Sequence, residues 1–226
     1  MQLNDEQLKQ FDEEGWVFLP DVFSQEEIDV LKGELPKIFS MDRPEVWRET
    51  GSDAVRTAFA AHYYHEAYRR LGRHPRLIGP VMQLLDGPVY MPQYKINGKA
   101  AFDGDVWQWH QDYGTWARDD KMPEARAMNI ALFLDEVTEF NGPLYIIPRS
   151  HKGGVIDAGH DTLTTSYPLW TLDKETVARL ADEGGMLAPT GQPGSVLLFH
   201  AHSVHASAPT TRPRGRVMAY PTLSPR

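Results

Sequence analysis

One short aromatic run, Trp107 to Tyr113, concentrates the chemically useful residues of this chain, because it contains His110 and Asp112. The run is rich in residues typical of strands, and alternate residues of an extended strand point to the same face. We therefore expect His110 and Asp112 to point the same way, with Gln111 facing away. An imidazole and a carboxylate so placed can bind one metal ion. The run thus predicts two ligands of a metal site and requires a third.

The third ligand must come from later in the chain, and an anion-binding residue stands nearby. His200 and His202 repeat the two-residue spacing and could form a second metal-binding pair, but that site would need ligands that the neighbouring sequence does not offer. Arg216 begins a predicted strand, and its planar guanidinium is well matched to a carboxylate; an ordinary surface ion pair is the alternative interpretation. The candidate third ligands are His151, His160, His200, His202 and His205.

Composition excludes several classes of function. The 226 residues are 41% hydrophobic and 11% aromatic, as in globular proteins, and their number suits one domain over residues 1–226. The 23 Lys and Arg against 31 Asp and Glu give a formal charge of −8, which disfavours a nucleic-acid surface. With no cysteine, a metal must be bound by nitrogen and oxygen. The sequence shows no signal-peptide pattern and no membrane span, so we expect a cytoplasmic location.

Residues 1–88 are predicted to be mostly helical. Asn4 or Asp5 can cap a first helix, and Ser24 with Glu27 forms a capping box for a second helix that ends before Pro36. Apolar periodicity predicts two later helices. The predicted helices cover 6–14, 24–35, 65–71 and 75–85, with strands at 16–19 and 56–59.

Residues 89–226 change in character to short strands separated by Gly, Pro and Asn turns. This pattern is typical of a double-stranded β-helix, a cupin-like jelly roll, and we expect a mainly β fold with helices packed outside it. The stretch 151–192 is a long insertion, helical only at 174–181, of the kind that often forms a lid. The predicted strands cover 89–91, 93–96, 106–112, 127–134, 144–147, 195–199 and 216–220.

The metal-site residues, together with four blocks of the chain, resemble a known family. His110 and Asp112, with His205 and Arg216 eleven residues apart, are similar to the phytanoyl-CoA dioxygenase family of non-haem iron, 2-oxoglutarate-dependent oxygenases. The blocks resemble the branch that hydroxylates ectoine and free amino acids such as leucine and proline. A histidine and an aspartate two apart are weakly specific, but four blocks in order are strongly specific. The blocks are 90–97, 107–116, 122–127 and 141–151.

This resemblance implies an oxygen-activating site. His110, Asp112 and His205 would bind Fe(II) and leave positions open for 2-oxoglutarate and O₂. Arg216 would bind the distal carboxylate of 2-oxoglutarate, with Ser207 beside it. The implied reaction converts 2-oxoglutarate to succinate and CO₂ while hydroxylating a substrate, and ascorbate would support it in vitro. Related halogenases have a small residue in place of the carboxylate, so Asp112 favours hydroxylation.

The resemblance also implies roles for five further residues. Gln93, Asn97 and Asn129 match positions that line the co-substrate pocket; turn or sheet-ladder roles are the alternative for Gln93 and Asn97. Lys95 lies two residues from Gln93 and would pair with a substrate carboxylate, unless it is a solvated strand lysine. Trp116 would face the substrate or, alternatively, pack in the core.

Three hypotheses of function follow. The first is an Fe(II)- and 2-oxoglutarate-dependent hydroxylase of a small polar carboxylate, in particular a free aliphatic or cyclic amino acid. The second is the same chemistry on a secondary metabolite or a carrier-bound acyl group. The third is a non-catalytic jelly-roll domain that binds a metal. The sequence supports the chemistry more strongly than the substrate.

Overall fold

The computed structural model describes residues 1–226, and its first elements follow the capping signals of the sequence. Helix α1, Asp5–Glu14, begins after Asn4, whose side chain accepts a hydrogen bond from the backbone of Gln7 at 2.9 Å. It ends at Gly15 with φ 81°, a conformation that favours glycine. Helix α2, Gln25–Phe39, begins with a second capping box. The other helices are α3 Ala61–Tyr64, α4 Glu66–Leu71, α5 Pro75–Leu84, α6 Asp112–Asp119 and α7 Lys174–Gly184.

Helix α2 does not end before Pro36, so that prediction is wrong. The proline lies inside the helix, which continues to Phe39. Proline removes one backbone donor from a helix interior, but Ile38 in the last turn is fully buried against the core. Burial of this apolar side chain stabilises the turn beyond the proline.

Twelve strands form three antiparallel sheets. They are β1 Trp16–Leu19, β2 Val46–Arg48, β3 Val55–Phe59, β4 Val89–Lys99, β5 Trp107–His110, β6 Met128–Phe133, β7 Leu144–Ile146, β8 Gly159–Asp161, β9 Leu169–Thr171, β10 Val196–His200, β11 His205–Ser207 and β12 Arg216–Pro225. The larger sheet has the order β1-β10-β6-β12-β4-β3-β2, the smaller β5-β11-β7, and β8 pairs with β9 alone. The predicted mainly β fold with outer helices is therefore confirmed.

Strand β6 shows how the two faces of the larger sheet are used, since all six of its residues are buried. Ala131 and Phe133 pack towards the smaller sheet, together with Leu144 of β7. Ile130 and Leu132 pack on the opposite face, in the core shared with the helices. That outer core contains residues from Leu3 to Leu223, and the single domain over residues 1–226 stays a prediction. None of the helices has the length and apolar character needed to cross a membrane.

Strand β4 is one continuous strand rather than the two predicted around Pro92. Its pairing with β12 shifts register between Thr222 and Ser224, which oppose Gln93 and Tyr90. Pro92 therefore lies at a bulge, where its missing backbone donor is tolerated. The result is an eleven-residue strand that carries three site candidates on one side of the barrel.

Candidate active site

Two histidines face each other across neighbouring strands. His110 on β5 and His205 on β11 are direct partners in an antiparallel pair, and their ring centroids are 4.1 Å apart. The Nδ1 atom of His110 lies 2.6 Å from the carbonyl oxygen of Gln108, and that of His205 lies 2.9 Å from Ser203 O. A carbonyl can only accept, so both Nδ1 atoms donate and each Nε2 keeps its lone pair for a ligand.

Asp112 completes the group, although not from the strand that the sequence predicted. Strand β5 ends at His110, and Asp112 is the first residue of α6. Gln111 between them remains extended and turns its amide away, donating to His202 O at 2.7 Å. The carboxylate oxygens of Asp112 lie 3.7 Å from Nε2 of His110 and 3.6 Å from Nε2 of His205. The three ligand atoms are thus within 4.8 Å of one another, and all three residues are buried.

The electrostatics of this group suit a divalent cation. Burial alone would raise the pKa of Asp112, but Lys95 and the two histidines hold it well below its usual range. Asn129 also donates to this carboxylate, at 2.8 Å. Burial, with His110 beside it, lowers the pKa of His205 to about 3. An ionised carboxylate and a neutral imidazole are the forms that bind metals.

A buried cation without an acidic partner lies on another wall of the same cavity. Arg216 is 2% exposed and donates from Nε and Nη2 to Gly142 O, at 3.1 and 2.6 Å, while its Nη1 has no partner. The Ser207 hydroxyl and Gln93 Oε1 are also buried without a hydrogen-bond partner. Leaving buried polar groups unpaired is costly. Nη1 of Arg216 and the Ser207 hydroxyl can both donate, so they fit an anionic ligand with carboxylate oxygens.

Alternate residues of β4 line this cavity, as the strand periodicity predicts. Gln93, Lys95 and Asn97 all contribute to its wall, together with the three candidate metal ligands and Arg216. Lys95 donates to Asp112 at 3.4 Å, and Asn97 accepts from the Thr57 hydroxyl at 2.7 Å. Counted together with the open space at its mouth, the cavity has a volume of about 650 Å³.

Asn129 lies outside the cavity wall, in contrast to the position expected for it. Its amide donates to Asp112 Oδ2 at 2.8 Å, and its oxygen accepts from the Thr222 hydroxyl at 2.8 Å. The side chain is 1% exposed. Asn129 therefore orients the carboxylate of Asp112, and its expected role in binding the co-substrate stays a prediction.

The remaining walls come from α6 and from the 151–192 insertion. Trp116 lies on the cavity and also packs in a buried cluster with Ala127 and Ala201. Thr115 beside it lines the cavity too and was not predicted, although it belongs to the same sequence block. Tyr167 and Leu169 reach the cavity from the insertion, where no pattern in the sequence marked them. Further wall residues that were not predicted are Leu144, Phe199, Ala206 and Tyr220.

The family with the description "Phytanoyl-CoA dioxygenase (PhyH)" matches residues 11–217, including all three candidate metal ligands and Arg216. The chain belongs to this family. An L-proline trans-4-hydroxylase from Streptomyces griseoviridis is 37% identical over 213 residues, which cover 90% of this chain and 80% of that protein. The ectoine dioxygenase of Halomonas elongata is 32% identical, over 95% of this chain and 68% of that protein.

Solved structures confirm the jelly-roll fold expected for a member of the PhyH family. EctD from S. alaskensis, solved with 2-oxoglutarate and 5-hydroxyectoine, superimposes with a TM-score of 0.88 at 31% identity. The match covers 99% of this chain and 76% of that one. In the present chain, two imidazoles and one carboxylate form the donor set suited to Fe(II), and the unpaired Arg216 and Ser207 atoms fit the carboxylate of 2-oxoglutarate.

Proposed function

We propose that this protein is an Fe(II)- and 2-oxoglutarate-dependent hydroxylase of a small polar carboxylate, with free amino acids such as proline as the leading substrate class. One observation carries the proposal. A two-histidine, one-carboxylate group and a buried, unpaired arginine lie on the walls of the same cavity, in a relative of a proline hydroxylase and of ectoine dioxygenases.

The metal ligands in this proposal are Nε2 of His110, Nε2 of His205 and the carboxylate of Asp112. Hydrogen bonds from their Nδ1 atoms to backbone carbonyls hold both imidazoles in the required tautomer. Fe(II) bound there supplies the activation of O₂ and the oxidation of the keto acid. A carboxylate ligand occupies the position that a halide would need, so Asp112 favours hydroxylation over halogenation.

The co-substrate is anchored by Arg216, whose free Nη1 pairs with the distal carboxylate of 2-oxoglutarate. Ser207 donates beside it, and Gln93 and Asn97 line the same space. The reaction balances as one substrate C–H, one 2-oxoglutarate and one O₂ giving one C–OH, one succinate and one CO₂. Leu144 and Phe199 give the cavity an apolar part of its wall.

The substrate is anchored by Lys95, the one cation on the cavity wall that 2-oxoglutarate does not require. Its ammonium lies 3.4 Å from Asp112 and pairs with a substrate carboxylate close to the metal ligands. Trp116 supplies an apolar wall next to it. This arrangement places an aliphatic C–H of a small acid near the oxidising centre.

The cytoplasmic location stays a prediction.

The test is turnover of a defined panel. Purified protein with Fe(II), ascorbate, 2-oxoglutarate and air is incubated with L-proline, L-leucine, L-isoleucine or ectoine. We expect succinate and a product heavier by one oxygen atom, in equal amounts, with at least one member. Absence of substrate-dependent succinate release across the panel would contradict the amino-acid proposal.

A second measurement separates this proposal from a jelly-roll domain with a structural metal. Adding 2-oxoglutarate without air to the Fe(II)-loaded protein should produce a weak visible charge-transfer band, because the keto acid ligates the metal. A structural metal with a complete ligand set gives no band. The same titration with Arg216→Gln should require much more 2-oxoglutarate to reach the same absorbance.

A further inference from the structure

The segment between β8 and β9 places an aromatic ring on the cavity. Tyr167 and Leu169 both line the space that contains the metal ligands. The ring of Tyr167 packs against Trp47 and Phe59, at centroid distances of 5.0 and 5.8 Å, and against Trp107 at 5.4 Å. These contacts give the ring one defined position on the cavity wall.

The hydroxyl of Tyr167 is available to a ligand. It forms no hydrogen bond to any other residue, whereas the hydroxyls of the half-buried Tyr64 and the buried Tyr68 donate to backbone carbonyls at 2.9 and 3.0 Å. Burial raises the pKa of Tyr167, and the nearby Asp112 carboxylate acts in the same direction. The phenol is therefore neutral at physiological pH and can both donate and accept.

A buried polar network fixes the backbone next to this ring. The Ser166 hydroxyl donates to Glu49 at 2.6 Å and accepts from the backbone of Thr50 at 2.8 Å. Glu49 pairs with Arg56 at 3.1 Å, and both side chains are almost completely buried. The guanidinium of Arg56 lies 4.0 Å from the ring centroid of Trp107. One network thus joins the cavity wall to the residue that precedes Tyr167.

The hairpin is also attached to the elements that carry the metal ligands. Gln108 on β5 donates to Asp161 at 2.8 Å. Trp170 donates from its indole to Asp119, at the end of α6, at 3.0 Å. Since β5 contains His110 and α6 begins with Asp112, the position of Tyr167 is linked to both.

We infer that Tyr167 is a specificity-determining residue, an inference that rests on the proposed function. Its ring forms part of the wall of the cavity that also contains Lys95, and its hydroxyl forms a hydrogen bond with a polar group of the bound amino acid. Ser166 is a positioning residue that holds Tyr167 through Glu49. The chemistry recognised is that of a small zwitterion, with its carboxylate on Lys95 and a second polar group on the phenol.

The test compares Tyr167→Phe with the wild-type enzyme on L-proline and on ectoine, whichever supports turnover. Losing one hydrogen bond while keeping the ring should raise the KM for the substrate about tenfold, with little change in the KM for 2-oxoglutarate. Tyr167→Ala removes the ring as well and should also lower the ratio of product to succinate. Tyr63→Phe is the matched control, because Tyr63 is 73% exposed and lies outside the cavity.

Ser166→Ala tests the positioning role. We expect a smaller rise in the substrate KM, about threefold, and a lower ratio of product to succinate. Ser166→Thr keeps the hydroxyl and should restore both values, which a general loss of stability would not allow.

Two outcomes distinguish a failure of the inference on Tyr167 from a failure of the proposed function. If the wild-type enzyme hydroxylates a substrate and both Tyr167 variants keep its KM and the product-to-succinate ratio, the inference on Tyr167 is wrong while the proposed function stands. If the wild-type enzyme releases no succinate with any acid of the panel, the proposed function is contradicted, and the inference with it.

Discussion

Two groups of neighbouring imidazoles lie in this protein, and they share several properties. His110 and His205 have ring centroids 4.1 Å apart; in the second group, His200 lies 5.4 Å from His151 and 5.6 Å from His202. Burial lowers the pKa of His205 and that of His200 to about 3. Neutral imidazoles are therefore present in both groups at physiological pH.

The groups differ in what surrounds the ring nitrogens. In the second group, His200 Nδ1 accepts from the backbone of His202 at 3.0 Å, and His151 Nε2 lies 3.1 Å from the carbonyl of Asp12. No carboxylate joins these rings into a set of three ligand atoms, whereas Asp112 does so for His110 and His205. The two-residue spacing of His200 and His202 therefore does not make a metal site.

The second group instead packs the N-terminal helix onto the barrel. A Cβ added at Gly15 would lie 2.4 Å from the ring of His151, so this close approach requires glycine. Phe11 of α1 lies 6.4 Å from the ring of His200. The comparison shows that the metal site is marked by a carboxylate that lies close to two imidazoles, and not by the number of neighbouring histidines.

The largest expected effect comes from removing the Asp112 carboxylate. Asp112→Ala should lower succinate release and product formation at least about 100-fold, since it removes a metal ligand and leaves Lys95 unpaired. Iron content after desalting should fall in parallel. His200→Gln should keep stoichiometric iron and turnover. Full hydroxylation by Asp112→Ala, or loss of iron in His200→Gln, would reverse the distinction between the two groups.

The second-largest effect is expected from Arg216→Gln, and it should concern only the binding of 2-oxoglutarate. Losing a charge-assisted pair with 2-oxoglutarate should raise its KM by about 100-fold without changing the iron content. Arg214→Gln is the control, because Arg214 is exposed two residues away. An unchanged KM for 2-oxoglutarate would show that the buried guanidinium has another ligand.

Asn129→Ala should have a smaller effect than Arg216→Gln, and the property affected should be the affinity for Fe(II). Without the amide that orients Asp112, the affinity for Fe(II) should fall about tenfold, as measured by titration of the iron-free protein. Thr222→Val removes only the contact behind Asn129 and should weaken binding less. If Asn129→Ala changed the KM for 2-oxoglutarate and left the metal affinity intact, Asn129 would belong to the co-substrate pocket after all.

Much of the fold could be predicted because its signals are local. The capping residues Asn4 and Ser24 begin helices where expected, and two-residue alternation places Gln93, Lys95 and Asn97 on one wall. Local sequence signals gave wrong predictions where tertiary packing determines the structure. Helix α2 continues past Pro36 because the last turn of the helix is buried.

Helix α6 is the clearest failure that bears on the site. Its sequence contains Gly114 and three aromatic or β-branched residues, so local propensity predicts a strand through Asp112. The helix forms because Tyr113 and Trp116 bury their rings against Ala127 and Ala201. The metal pair was nevertheless placed correctly on one side, because the extended Gln111 preserves the alternation for one step.

The contribution of Tyr167 could not be read from the sequence, because it depends on contacts between distant segments. Ser166 contacts Glu49, and the ring of Tyr167 packs on Trp47 and Phe59. No pattern within the insertion encodes these pairs. The unpaired atoms of Arg216 and Ser207 are likewise visible only once the barrel is closed.

The smallest effect expected concerns the second histidine group and its dependence on pH. Because burial lowers the pKa of His200 below its unfolded value, to about 3, its neutral form stabilises the fold fully above about pH 6.5, and this stability is lost as pH falls from there towards 3. His200→Gln cannot protonate, so between pH 6.5 and 4.5 its free energy of unfolding should fall by about 2 kcal/mol less than that of the wild type.

Denaturant unfolding of the iron-free protein measures this difference, since His205 then contributes equally to both proteins. His160→Gln is the control, because His160 is exposed on the β8–β9 hairpin. If the free energy of unfolding depended on pH equally in the wild type and in His200→Gln, the fold would not hold His200 in its neutral form. A weaker pH dependence in His200→Gln, with iron content unchanged, would show that the fold holds His200 in its neutral form and that His200 is not a metal ligand.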